Sequence, residues 1–139
     1  MKEDFVTFEL AKKLKEKGFN KPCVAYYIPN CSKLYFNTAI LLKKSTVADC
    51  LFSNNTTPIG YICSTFIDAP IISQVLKWLR EEKNIFVVVF IDDDSDYPVT
   101  YNIFNGADCV YHHHEEYFAL SEWSKCELAG IKYAIDNLI

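Results

Sequence analysis

The segment 68–84 constrains the fold most, because it has the pattern of a helix and leads directly into an apolar strand. Asp68 is a favoured N-cap, Pro70 is tolerated in a first helical turn, and Asn84 can close the helix. The seven residues of Ile85–Ile91 are continuously apolar, which is typical of a central strand covered on both faces. The sequence therefore predicts helices packed on a sheet. One helix face carries the apolar residues Ile72, Val75, Leu76 and Leu79.

Shorter patterns predict further elements before this segment. Thr7 can cap a helix that runs to about Lys17 and ends at Gly18. The apolar stretches 23–28 and 33–37 flank a Pro-Asn-Cys-Ser turn and predict a β-hairpin. Three more apolar stretches predict short strands, over residues 39–42, 47–52 and 61–67.

The C-terminal part adds two strands and a helix. The stretches 99–104 and 109–114 predict strands on either side of a turn at Asn105-Gly106. A capping box at 124–127 predicts a last helix from about Ser121 or Ser124 to Leu138. We therefore expect a single α+β domain over residues 1–139. About three helices would pack on one mostly antiparallel or mixed sheet, with Ile85–Ile91 in its middle.

Composition excludes several classes of protein. A hydrophobic content of 50% with four Gly and five Pro argues against a disordered chain. No apolar run approaches the roughly 20 residues needed to span a bilayer, and the charged N-terminus does not resemble a signal peptide. We therefore expect a cytoplasmic protein. The six cysteines form no CxxC pair and are expected to be reduced thiols, with a disulfide framework as the alternative.

Charge is unevenly distributed along the chain. Residues 68–139 hold five basic and thirteen acidic residues, a net charge of −8, whereas the whole chain has −4. An acidic surface repels phosphate backbones, so nucleic-acid binding through this half is not expected. It suits a basic protein partner or a mimic of nucleic acid. The expected partner is therefore a protein, and self-association stays open.

Two polar segments are candidates for metal binding. Alternation along a strand would place His112 and His114 on one face, and with Glu116 they could hold a transition metal. The acidic run offers carboxylate oxygens, the ligands that Ca²⁺ and Mg²⁺ prefer, from Asp92, Asp93, Asp94 and Asp96. Neither segment matches a known metal signature. The alternatives are a polar edge strand and a solvated turn, and no cofactor is expected.

Aromatic residues are candidates for binding a partner. The predicted hairpin contains Tyr26, Tyr27, Tyr35 and Phe36, and strand alternation should turn half of them outward. We take Tyr27 and Tyr35, together with Trp78 on the predicted helix, as candidate binding residues. For Trp78, as for Trp123 on the last helix, the alternative is a partly buried packing residue.

No local motif indicates an enzyme. The chain has no GxSxG, no P-loop, no GxGxxG and no HExxH. The sequence therefore predicts a non-enzymatic binding or interaction module. The alternative is a metal-dependent or nucleotide-processing enzyme that uses the histidine segment at His112 and His114 and the aspartates between Asp92 and Asp96.

Three parts of the chain carry a resemblance to a known family. The first part precedes a Pro-Cys and a Tyr-rich strand and consists of Phe8, Ala11, Leu14, Lys15, Gly18 and Phe19. The second consists of Ala69-Pro70, Lys77 to Glu81 and Asn84-Ile85, and the third is the closing Ala129 to Ile135. Together they resemble a family of small uncharacterised proteins from gut Bacteroidales and their phages. The resemblance implies a phage or mobile-element origin and action in the cytoplasm of the host cell. It carries over no functional residue.

The order helix–strand–strand–strand–helix predicted over residues 69–139 is similar to that of double-stranded RNA-binding domains. The stretch 124–129 resembles the start of their second helix. That family places a cluster of lysines there to contact phosphates, whereas this helix has only Lys125 and Lys132. The resemblance therefore implies a shared order of elements without RNA binding.

Overall fold

A computed structural model describes residues 4–28, 33–36, 67–112 and 116–139. Within these ranges the chain forms three α-helices and two antiparallel three-stranded sheets. The predicted α+β class with about three helices is confirmed, but the prediction of one common sheet is wrong for the described strands. The chain divides into two compact units, Phe5–Ile71 and Met1–Asp4 with Ile72–Ile139. The single-domain organisation over residues 1–139 stays a prediction.

The unit Phe5–Ile71 combines one helix with a small sheet. The sheet order is β2–β1–β3, and both strand pairs are antiparallel. The predicted hairpin is therefore confirmed as the pair β1–β2. The strands predicted over 39–42 and 47–52 lie outside the described residues, as does the strand predicted over 61–67 except for Ile67, which begins β3. The elements are α1 (Phe8–Glu16), β1 (Ala25–Tyr27), β2 (Leu34–Phe36) and β3 (Ile67–Asp68).

Both predicted ends of α1 are confirmed. The Thr7 side chain accepts a hydrogen bond from the Leu10 N–H at 3.3 Å, which satisfies one of the free donors of the first turn. Gly18 adopts a φ of +93°, the left-handed conformation that glycine tolerates best. The Phe19 N–H then donates to the Leu14 carbonyl at 2.9 Å, and both side chains are buried. This is the Schellman arrangement of a helix end.

The unit containing Ile72–Ile139 follows the order α–β–β–β–α that the sequence predicts. Its sheet is an antiparallel meander of order β4–β5–β6. Both of its α-helices contact β4, and the last one also contacts β5. The elements are α2 (Ile72–Lys83), β4 (Ile85–Ile91), β5 (Val99–Asn105), β6 (Asp108–Tyr111), a 3₁₀ turn (Leu120–Glu122) and α3 (Trp123–Asn137).

The middle of this sheet is β5, so the prediction of Ile85–Ile91 as the central strand is wrong. Among the described strands β4 pairs with β5 alone and lies at the edge of the sheet, and Ile91 at its end is 59% exposed. β5 is covered far more fully, with Val99, Tyr101 and Ile103 buried. A continuous apolar run fits either position, because which strand gains partners on both sides depends on the connections between strands.

The predicted start of the helix at Asp68 is also wrong. Asp68 lies in β3 opposite Tyr26, and α2 begins at Ile72. The Ala69 N–H donates to the Ala25 carbonyl at 3.0 Å, so strand pairing continues to this point. Cross-strand hydrogen bonds therefore prevail over the capping preference of the Asp side chain. Burial raises the pKa of the Asp68 carboxyl, and the nearby Lys15 opposes that shift.

The capping box predicted at 124–127 is absent, because Ser124 already lies within α3. The helical segment begins earlier, with the 3₁₀ turn that leads into α3. There the Glu122 carboxylate accepts a hydrogen bond from the Ala119 N–H at 3.1 Å. This is the half of a capping box in which an acidic side chain accepts from the backbone N–H three residues earlier, and it lies about one turn before the predicted site.

Close packing of α3 on the sheet depends on Gly130. A Cβ atom at this position would overlap Val87 Cγ1 and lie 3.2 Å from Tyr101 Cδ2. The missing side chain therefore allows α3 to approach β4 and β5 closely. The buried residues of α3 are Cys126, Gly130, Ile131, Ala134 and Ile135. None of the described helices combines the length and the apolar character that crossing a bilayer requires.

We expect Gly130→Ala to destabilise the protein by about 1–3 kcal/mol, the usual cost of overpacking. A loss of stability would be specific evidence for overpacking, because alanine is otherwise preferred to glycine within a helix by about 1 kcal/mol. Urea unfolding would measure the change. Val87→Ala removes the methyl group that the new Cβ meets, so the double variant should lose less stability than the two single losses added together. Strict additivity, or a gain in stability from Gly130→Ala alone, would contradict this account.

Stability should also depend on the ionisation of Glu127 in α3. Burial raises the pKa of its carboxyl above the ordinary 4.5, and the Asp4 carboxylate raises it further. The folded state therefore binds the proton more tightly than the unfolded state does. The resulting stability is present below about pH 4.5 and is lost as the pH rises through the folded pKa.

Glu127→Gln should accordingly raise Tm at pH 7 and leave it nearly unchanged at pH 4. Glu81→Gln is the matched control, since Glu81 is solvent-exposed on α2 and its ion pair with Lys77 spans 4.0 Å at the surface. Thermal unfolding followed by circular dichroism at the two pH values would measure both variants. If Glu127→Gln raised Tm equally at pH 4 and pH 7, the carboxylate charge would not be the cause of the rise in Tm.

Candidate interaction surface

The acidic loop between β4 and β5 is a structured turn that is exposed to solvent. The Asp92 N–H donates to the Pro98 carbonyl at 2.8 Å, which closes the loop. Inside it the Ser95 N–H donates to Asp93 Oδ1 at 2.9 Å, and hydrogen bonds from Ser95 lower the pKa of Asp93. The loop therefore presents an ionised carboxylate at neutral pH. Residues 91–97 are all exposed.

The chain returns to this end of the sheet after β6. Val99 faces Ile91 across one side of β5 and forms a bridge with Phe118 on the other side. Two backbone hydrogen bonds, of 3.0 and 2.8 Å, hold that bridge. The Tyr117 hydroxyl donates to Asp92 Oδ2 at 3.1 Å. The acidic loop and the segment before α3 are therefore joined at the same end of the sheet.

Large apolar side chains are exposed at this end. Among the described residues eight large hydrophobic side chains are exposed, and five of them lie in residues 91–97 and 117–123. We call these two segments the acidic end. Exposed apolar clusters beside polar groups are typical of protein interaction sites. The five are Ile91 (59% exposed), Tyr97 (60%), Tyr117 (39%), Leu120 (60%) and Trp123 (38%).

Glu116 anchors the returning segment to β5 through both its backbone and its side chain. The fully buried Thr100 donates its hydroxyl to the Glu116 carbonyl at 2.8 Å. The Tyr101 hydroxyl donates to Glu116 Oε2, also at 2.8 Å. Burial raises the pKa of Tyr101, and the hydrogen bond to Glu116 raises it further, so its hydroxyl stays protonated as a donor. The buried side chains of β5 thus determine where the acidic end lies.

The metal-binding residues predicted from the sequence are only partly within the described structure. The carboxylate of Glu116 accepts the Tyr101 hydroxyl, and His112 lies just after β6 with its Nδ1 atom 3.8 Å from Cys109 Sγ. His114 lies outside the described residues. Within the described part of the chain no group of three or more His, Cys, Asp or Glu side chains is placed to hold a metal ion. The site formed by His112, His114 and Glu116 stays a prediction.

The predicted aromatic binding residues are mostly covered. Tyr27 is 6% exposed and donates its hydroxyl to the Val6 carbonyl at 2.7 Å, and Trp78 is 2% exposed. Tyr35 is half-buried and stacks on Tyr26 with 5.7 Å between ring centroids. Of the three candidates, Tyr35 therefore presents the most surface. Their binding role stays a prediction.

The three described cysteines, Cys23, Cys109 and Cys126, are free thiols, and the reduced state of all six stays a prediction. Burial raises the pKa of Cys126 to about 12, and the carboxylates of Glu116 and Glu127 add to the shift. Burial likewise raises the pKa of Cys23 far above its usual range. Both are therefore protonated at neutral pH and lack the thiolate that nucleophilic catalysis requires. Cys31, Cys50 and Cys63 lie outside the described residues.

Reasoning from the sequence missed the acidic end as a binding surface. It considered the aspartates as a cation site or a solvated turn but assigned no role to Tyr97, Tyr117 or Leu120, and it favoured packing for Trp123. The available signal was the set of large apolar residues next to the acidic run and next to the start of α3. Their common location depends on the bridge between Val99 and Phe118, which no local pattern indicates.

Comparison with known proteins adds no relative, since no family model, no curated protein and no solved structure matches this chain.

We expect Glu116→Ala to destabilise the protein by about 1 kcal/mol or more, because the buried Tyr101 hydroxyl loses a charged acceptor. Tyr101→Phe removes the donor instead. A double-mutant cycle in urea should therefore give a coupling of about 1 kcal/mol between the two positions. Zero coupling would show that the hydrogen bond does not anchor the segment. Asp108→Ala, at an exposed acidic residue of β6, is the control and should change stability little.

Proposed function

We propose that this protein is a non-enzymatic interaction module that binds a basic segment of a protein partner through its acidic end. The observation that carries the proposal is the exposure of Ile91, Tyr97 and Leu120 beside a loop of four aspartates. The phage or mobile-element origin and the host-cytoplasm location implied by the family resemblance belong to the same proposal.

The acidic end combines two kinds of contact that a basic protein segment can use. The carboxylates of the loop attract Lys and Arg and accelerate encounter, while the apolar side chains supply area that becomes buried on binding. Tyr97, Tyr117 and Trp123 also offer ring faces to cations, and Tyr and Trp are enriched among residues that dominate binding energy. Charge alone would give weak, salt-sensitive attraction. The apolar side chains explain how a specific partner is retained.

Charge argues against nucleic acid as the ligand of this unit. By sequence, residues 72–139 hold five basic and twelve acidic residues. A phosphate backbone is repelled by such a surface, so the element order shared with double-stranded RNA-binding domains does not extend to RNA binding. If the basic partner itself binds nucleic acid, this protein would compete as a mimic of nucleic acid.

The enzyme alternative has less support among the described residues. Glu116, one of its three predicted ligands, already accepts a hydrogen bond from Tyr101. The buried thiols of Cys23 and Cys126 are protonated and inaccessible. The acidic loop is exposed rather than set in a cleft, whereas catalytic groups usually act in sites that exclude water. Binding is the function that this geometry favours.

The proposal can be tested by titrating ¹⁵N-labelled protein with a synthetic peptide of alternating Arg and Leu. We expect chemical-shift changes in residues 91–97 and 117–123 and an affinity that falls as salt is added. Asp93→Lys combined with Asp94→Lys should weaken binding at least about tenfold, through repulsion of like charges. Asp108→Lys is the matched control, because it makes the same change of charge at the opposite end of β5–β6 and should change affinity less than about twofold.

Three results would contradict the proposal. The first is a set of shifts that maps outside the acidic end. The second is equal weakening by Asp108→Lys, which would indicate attraction by net charge alone. The third is unchanged affinity in Leu120→Ser, which would show that apolar contact plays no part. A peptide of alternating Arg and Ser should bind more weakly than the Arg-Leu peptide for the same reason.

A further inference from the structure

A β-bulge in β6 brings Cys109 and His112 to the same face of the strand. Cys109 pairs with Phe104, whereas Tyr111 pairs with Ile103, so one residue of β6 between them has no partner on β5. In a regular strand, residues three apart lie on opposite faces. The extra residue reverses this relation, so Cys109 and the residue after Tyr111 share a face. The result is a distance of 3.8 Å between Cys109 Sγ and His112 Nδ1.

From this juxtaposition we propose that Cys109 and His112 form a bidentate site for a thiophilic transition-metal ion of the Zn²⁺ type. A tetrahedral Zn²⁺ ion with bonds of about 2.3 Å to sulfur and 2.0 Å to nitrogen places the two ligand atoms about 3.5 Å apart. The observed distance is larger by only a few tenths of an ångström. A small side-chain rotation therefore converts the contact into a chelate, and the bound ion replaces the thiol proton, which passes to solvent.

The ligand types and their exposure fit this assignment. Thiolate and imidazole are the ligands that zinc prefers, and both side chains can be reached from solvent, since His112 is exposed and Cys109 is half-buried. Among the described residues no third His, Cys, Asp or Glu side chain joins the pair. Bulges are common next to functional sites, where they redirect a side chain. The bulge in β6 would act in this way by bringing His112 to Cys109. A site with the two described ligands alone would bind metal more weakly than a four-ligand structural zinc site.

The site differs from the one predicted on His112, His114 and Glu116. It shares His112, but its second ligand is a sulfur atom that lies three residues earlier. Glu116 takes no part, because its carboxylate accepts the hydroxyl of Tyr101. The proposal is also independent of the acidic end, so either can fail without the other.

Cobalt provides the decisive probe, since Co²⁺ bound by thiolate shows a sulfur-to-metal charge-transfer absorption that oxygen and nitrogen ligands do not give. The experiment adds Co²⁺ to the full chain, kept reduced by a non-chelating phosphine, and then displaces it with Zn²⁺. We expect one equivalent of Co²⁺ to produce the band and Zn²⁺ to abolish it. Cys109→Ser should remove the band, and His112→Ala should weaken Co²⁺ binding at least about tenfold.

Two control variants separate this site from the alternatives. Cys126→Ser changes a fully buried thiol and should leave the band intact. Glu116→Gln should also leave Co²⁺ affinity unchanged, whereas a ligand role for Glu116 predicts a loss. The proposal is overturned if no band appears, if the band survives in Cys109→Ser, or if binding depends on Glu116 instead. Circular dichroism of each variant confirms that the fold is retained.

Discussion

The organisation of the unit Ile72–Ile139 depends on the burial of β5 between partners on both of its edges. On one edge β5 pairs with β4 along its full length. On its other edge the end at Ile103–Asn105 pairs with β6, and Val99 at the opposite end forms the bridge with Phe118. The apolar side chains of Val99, Tyr101 and Ile103 are also buried, so β5 contributes the most fully covered residues of this sheet. Most buried polar groups of a stable fold are paired, and here Thr100 and Tyr101 both satisfy their hydroxyls on Glu116.

This arrangement connects the core to the surface proposed for binding. The same strand that contacts α3 near Gly130 also holds Glu116 by two hydrogen bonds, and it thereby sets the path of the next residues. The acidic loop is tied to that path through Tyr117 and Asp92. The buried core thus fixes the position of the exposed segments, and such pre-organisation would reduce the entropy that the proposed binding costs. The bulge in β6 lies along the same edge of β5 as the Phe118 bridge.

Local signals predicted the elements well where the physical cause is itself local. The Thr7 cap, the left-handed Gly18 and the Asn105-Gly106 turn depend on neighbouring backbone groups, and all three are present. Predictions failed where a distant partner intervened. Asp68 pairs with Tyr26 in a sheet instead of starting a helix, and the edge position of Ile85–Ile91 depends on how three strands connect. For the candidate site, the sequence indicated an acidic surface, but its exposed apolar side chains come from residues up to 32 positions apart in the chain.

The sequence by itself determined the α+β class, the helix of residues 8–16 with its two ends, and the acidity of the second half, because periodicity, caps and charge are properties of neighbouring residues. Only the tertiary structure decided which strand is central, that Tyr27 and Trp78 are covered, and that Ile91, Tyr97 and Leu120 are exposed together. It also decided that Cys109 lies beside His112, since one unpaired residue in β6 changes the face on which the next residues lie. Pairing register and burial are properties of the whole fold, and a change of one residue in register reverses them.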